Sequence, residues 1–187
     1  MEDGGRQMHG GSYGRFMAMV GTSTLIMFGL MYLNTYALDH VYFSETRFWM
    51  MFVMGSVMAV VMLAFMWGMY KNTAKNWIIV GVAVVVFALS LWLVRSQESV
   101  EDSEWMSAMI PHHSIAIMTS ERAHIADKRV EALANSIITA QRKEIGEMEW
   151  LINDIAKNGK ATTDAEAAAR PIPPMEGWLN PDGGATP

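Results

Sequence analysis

The chain has 187 residues, 51% of them hydrophobic and 18% charged, and a formal net charge of −5. With no cysteine it excludes disulfide frameworks, zinc–thiolate centres and cysteine nucleophiles, and its acidic balance argues against a nucleic-acid partner, which needs a basic face. Methionine is the compositional outlier at 18 residues, so any metal site has to draw on Met, His, carboxylate or backbone ligands.

Residues 1–13 are glycine-rich and polar, a tail with too little apolar surface to fold alone. Met8-His9 inside it is a small candidate metal-touching pair. Three apolar stretches follow, at residues 16–37, 48–70 and 77–94, each near the ~20 residues that a spanning helix requires. The first runs too long, and lacks the small-residue cleavage site, for a signal peptide. Residues 14–95 therefore read as a three-helix transmembrane region, with Tyr13, Tyr36, Tyr42, Phe48, Trp49, Trp67, Tyr70, Trp77 and Trp92 near the segment ends as interfacial aromatics. Arg6 and Arg15 precede the first span, and Lys71 and Lys75 separate the second from the third, whereas the loop with Asp39, His40 and Glu45 has only Arg47. Lys/Arg excess marks the cytoplasmic side. The expected topology is a multi-pass protein of a bacterial inner membrane, with the N-terminus inside and everything after residue 95 on the periplasmic side.

Met51, Met54, Met58, Met62, Met66 and Met69 step by three or four through the second stretch and close on one helical face. Two readings stay open: flexible packing against the bundle, or a ladder of soft thioethers able to share Cu(I).

The polar run Ser96 to Glu104 leads into two helical segments, 101–126 and 128–158, divided at Asp127 and stopped by Asn158-Gly159. Ser99 or Ser103 is the expected N-cap. Pro111 either begins a helix or kinks a continuous one, freeing carbonyls beside the histidines. Met106, Met109 and His113 share a face, with His112 at its edge. Thioether with imidazole suits Cu(I), and Cu(II) when oxygen ligands join. In an antiparallel hairpin of equal rise per residue, Met109 comes level with Met148 and His113 with Glu144. The second helix shows Ile137, Gln141, Glu144, Met148, Leu151 and Ile155 on one face, so its apolar stripe is interrupted where the histidines arrive. A metal supplies the partner that a buried carboxylate requires; a metal-free layer of Gln141, Glu144 and the histidines does so too. Glu121-Arg122-Ala123-His124 also matches the Glu-x-x-His element of di-iron bundles, although Ser136, Ile137 and Leu133 lie opposite it. Residues 159–187 are Pro- and Gly-rich, expected extended after a short Ala-rich piece, with Met175 and Trp178 able to pack back on the hairpin.

The run Trp105-Met106-x-x-Met109-Ile110-Pro111-His112-His113-x-x-Ala116-Ile117-Met118, with Gln141-x-x-Glu144-Ile145-x-x-Met148-x-x-Leu151, resembles a ferritin-like domain-of-unknown-function family of bacterial proteins that includes CopM-type copper-binding proteins. The resemblance covers residues 101–157. It implies an all-α fold in which helical hairpins pair as four-helix bundles, here on homodimerisation, and copper capture, buffering or hand-over in the cell envelope without enzymatic turnover. Met109, His112, His113, Met118 and Met148 are the ligands it implies, with Met106 in support; Glu144, Gln141 and His124 are added by the reading of the helices. Met118 points away from His113 on an ideal helix. Copper ions, the lipid bilayer, a second copy and other copper-handling envelope proteins are the expected partners. The alternatives are a di-iron oxidase built on Glu121, His124 and Glu144, and a metal-free membrane assembly module.

Overall fold

In a computed structural model, residues 12–175 are described. Met8, His9 and Trp178 lie outside them. Six α-helices and two short 3-10 turns make up the regular structure, with no strand among the described residues. The chain divides into two units: Met1–Met31 with Thr46–Ser99, and Tyr32–Glu45 with Val100–Pro187.

The first unit holds α1 (Tyr13–Leu30), α2 (Glu45–Phe65) and α3 (Thr73–Ser96). Asn72 caps α3 by accepting the Lys75 backbone N–H at 3.0 Å, which satisfies one of the donors a helix start leaves open. The α3 helix closes on Gln97 in a left-handed conformation, φ 54°. Phe16 and Val20 of α1, Ala59 and Leu63 of α2, and Tyr70 form the buried core. Asn76, fully buried, braces it: its side-chain amide donates to the Tyr70 carbonyl at 2.9 Å and accepts the Tyr13 hydroxyl at 2.8 Å. A buried amide left unbonded would be costly, so both partners matter.

Two helices, α2 and α3, are long and apolar enough to cross a membrane, and only 11% of the most apolar window of α3 is buried. The expectation of three spans is corrected. The α1 helix has 18 residues and stops at Leu30 rather than reaching residue 37. Arg15 in its first turn and the run Gly21-Thr22-Ser23-Thr24 at its middle dilute its apolar character. The cytoplasmic placement of the N-terminus depended on that first span and does not follow without it.

In the second unit, α4 (Asp102–Arg122) and α5 (Lys128–Asn158) lie antiparallel, as the contact of His113 with Glu144 and of Glu121 with Arg142 requires. Glu101, rather than Ser99 or Ser103, takes the N-cap position of α4, with Asp102 and Glu104 in the first turn, where carboxylates suit the helix dipole. The helix ends at Arg122, short of residue 126. Asp127 caps α5 by accepting the Arg129 N–H at 2.9 Å, and its bond to the Arg129 side chain holds its carboxyl down at about 2. Residues 159–175 hold more regular structure than expected. Thr163 and Glu166 form a reciprocal capping box that starts α6 (Asp164–Ala169), and Arg170 then donates to Asp154 at 2.6 Å and to the Gly159 carbonyl at 3.1 Å. Met175 is buried.

Candidate functional site

The core of the second unit is built from Met106, Ile110 and Ile117 of α4 and Ile145 and Met148 of α5, with Met109, Ile138, Leu151, Ile152 and Ile155 packed around them. Pro111 is buried inside an uninterrupted α4. Lacking an N–H, it leaves the Ser107 carbonyl without its ordinary helical donor.

At the level of this core a polar pair crosses the hairpin. His113 Nδ1 lies 3.1 Å from Glu144 Oε2, with the imidazole 14% exposed and the carboxylate 46%. Gln141 donates to the same oxygen at 3.2 Å. The Nδ1 atom is itself buried and makes no aligned hydrogen bond; the contact has ion-pair distance without hydrogen-bond direction. Burial lowers the His113 pKa, against the pull of the Glu144 carboxylate and with the push of His112. The ring therefore stays neutral near pH 7, the state in which imidazole offers a lone pair.

The other expected residues divide. Met109 is half-buried beside this core, while Met106 and Met148 lie inside it at 4% and 6% exposure, so their thioethers are occupied in packing. His112 is exposed, and Met118 is half-buried outside the cluster. Among the described residues no three His, Asp or Glu side chains converge to hold a metal ion. Glu121 and His124 of the Glu-x-x-His run join no third His, Asp or Glu among the described residues. Arg142 donates to the Glu121 carboxylate, and His124 is exposed beyond the last residue of α4.

The methionine row does not share one environment. Met51 is buried, Met58 half-buried, and Met62 and Met66 pack on the Phe16–Leu63–Tyr70 core, while Met54 and Met69 are exposed. The α2 helix ends at Phe65, and Met69 sits in the 3-10 turn Trp67–Met69. A period of three and four identifies a face only while the helix continues.

Sequence reasoning missed the contribution of the loop Tyr32–Glu45. Its 3-10 turn Leu38–His40 packs on α4, and Tyr36 and Tyr42 join the hairpin core. Ser114, fully buried next to His113, accepts the Tyr36 backbone N–H at 2.7 Å and lies 2.9 Å from His40 Nδ1. The Tyr42 hydroxyl reaches Glu149 at 3.5 Å. Burial, with Asp39 nearby, pushes the Glu149 carboxyl up to about 7 and raises the Tyr42 hydroxyl. The available signal was a polar Ser114 on the apolar face of α4 and an Asp39-His40 pair bracketed by tyrosines.

Residues 95–182 match the protein family described as Domain of unknown function (DUF305). That description carries neither a ferritin-like fold nor a copper ligand set. A similar curated protein is the uncharacterized protein L153 of Acanthamoeba polyphaga mimivirus, 29% identical over 87 residues, covering 46% of this chain and 56% of the viral protein. The chain thus spans about half the length of the curated relative it matches. No solved structure matches.

Proposed function

We propose that the second unit is a membrane-anchored copper-binding module of the cell envelope that captures, buffers or hands over copper without chemical turnover. The observation that carries this reading is the half-buried His113, whose Nδ1 is buried, has no aligned hydrogen bond and faces Glu144 at 3.1 Å. Neutral imidazole with carboxylate and thioether is a copper-type donor set. In this reading His113 and Glu144 take the ion, Met109 supplies sulfur one turn back, His112 guards the solvent side, and Gln141 orients the carboxylate as an outer-shell partner. Met106 and Met148 shape the core beneath.

The α2 and α3 helices cross the bilayer as an antiparallel pair in this proposal, with Lys71 of their connection and Lys75 in the first turn of α3 on the cytoplasmic side. The loop before α2 and the hairpin after α3 then emerge together outside. Their packing into one unit supports that arrangement. A second copy covers the exposed Trp105, Val130 and Leu133 of the hairpin, giving a four-helix bundle.

The test is metal analysis of the purified full chain, copper and iron together, under reducing and oxidising conditions. Copper in the wild type that is lost in His113→Ala, with helicity retained, supports the reading. Equal copper in both proteins, or none in either, overturns it and leaves the metal-free polar layer.

A further inference from the structure

The connection between α1 and α2 is not a free loop. It lies on the hairpin through atoms far apart in sequence: Tyr36 N–H and His40 Nδ1 on Ser114 of α4, 78 and 74 residues away, and Tyr42 on Glu149 of α5, 107 residues away. Ser44 N–H donates to the Tyr32 hydroxyl at 3.1 Å, tying the two ends of the segment together. His40 is 9% exposed and Ser114 is fully buried.

The contact between the Ser114 hydroxyl and His40 Nδ1 can form with either neutral tautomer of the ring. Having accepted the Tyr36 N–H, the Ser114 hydroxyl keeps its own hydrogen to donate and a second lone pair to accept, so it serves a neutral His40 Nδ1 in either role. An imidazolium at His40 would be a positive charge held at 9% exposure against an uncharged hydroxyl, and burying a charge without a paired partner is costly.

We propose that the segment Tyr32–Glu45 is a pH-released strap, latched on the hairpin by the His40–Ser114 bond while His40 is neutral and let go when His40 is protonated. The proposal stands whether or not the hairpin binds a metal. The groups around the latch agree with it. On the strap, Asp39 favours the imidazolium, but burial is the larger effect and lowers the His40 pKa. From α4 the group that meets His40 is the uncharged Ser114, and the titratable residue next to it along the helix is His113, which is itself kept neutral by burial. From α5, Glu149 faces Asp39 and Tyr42 and is largely protonated below about pH 7, so it offers little negative charge to rescue a charged His40 in acid.

The sign follows from linkage. A released His40 returns to its ordinary pKa and a latched one sits lower, so latching is complete above about pH 6.5 and weakens as the pH falls through the lowered value. One proton changes the opening equilibrium by at most about tenfold per pH unit. Hydrogen exchange of the full chain in nanodiscs, corrected for intrinsic rates, reads this directly. Between pH 7.5 and pH 5, protection of the amides of residues 36–42 should fall severalfold, by no more than about tenfold per pH unit below the ordinary histidine value, while protection along α5 holds. In His40→Asn, which keeps an acceptor near the Nδ1 position and cannot charge, the fall should vanish. Ser114→Ala should show low protection of the strap at both pH values. A wild-type strap equally protected at both values overturns the proposal. So does a loss shared equally by α5, or an undiminished loss in His40→Asn.

Discussion

His113 and Glu144 meet across the hairpin at 3.1 Å, from helices joined only by residues 123–127. The pair sits where the apolar stripe of α5 is interrupted. A neutral imidazole beside a half-exposed carboxylate makes a donor set that competes for a cation or a proton, and the competition sets a pH dependence.

If the hairpin takes copper as proposed, its retention should decline in acid. The His113 pKa is lowered, chiefly by burial, so the lone pair is fully available above the ordinary histidine value of about 6.5 and is lost as the pH falls through the lowered one. Equilibrium dialysis between pH 7.5 and 5 should show affinity falling towards acid. The Glu144→Gln protein should bind about 10- to 100-fold more weakly at neutral pH if the carboxylate acts on the ion or orients its ligand. Affinity that is constant across this range would remove His113 from the ligand set.

The Glu121–Arg142 pair should be structural. Its side chains are 27% and 15% exposed, and removing one partner leaves the other charge poorly solvated. Arg142→Ala should lower hairpin stability by about 1–3 kcal/mol, measured by chemical unfolding, while metal content is unchanged. Loss of bound iron in Glu121→Gln would instead revive the di-iron reading.

A close helix crossing in the first unit gives a sharper test. A Cβ on Gly55 would come within 2.8 Å of Thr24 Oγ1 and 3.0 Å of Thr24 Cγ2. Gly55→Ala should destabilise the α1–α2 contact by about 1–3 kcal/mol through overpacking, and the double variant with Thr24→Ala, which deletes both clashing atoms, should recover most of the lost thermal stability. A single variant as stable as wild type would mean that α1 does not pack this closely on α2.

How legible these features were in the sequence depended on whether their causes were local. The bounds of α5 follow from Asp127 as a cap and Asn158-Gly159 as a stop, both short-range signals. The meeting of His113 with Glu144 follows from equal helical rise on either side of a short connection. The strap could not be foreseen in the same way, because its partners lie 74 to 107 residues away and no periodicity in residues 32–45 names them. The early end of α1 reflects a competition in which residues 36–42 pack on the hairpin instead of extending a span. The tail helix was announced only by Thr163 and Glu166, a capping box too short to weigh against the surrounding Pro and Gly.

The methionine row supplies the last prediction. If thioethers along α2 passed copper, they would need a continuous soft surface. Instead Met62 packs into the Phe16–Leu63–Tyr70 core and Met54 is exposed on the helix, while Met66 and Met69 lie past the helix end. Leu is apolar and close in volume to Met. Changing Met54, Met58 and Met62 together to Leu should preserve membrane insertion and leave copper content unchanged, with stability shifted by less than about 1.5 kcal/mol per buried site. Metal analysis of this triple variant beside His113→Ala separates the two regions. Copper that falls in the triple variant while the hairpin stays folded would return the row to the metal path.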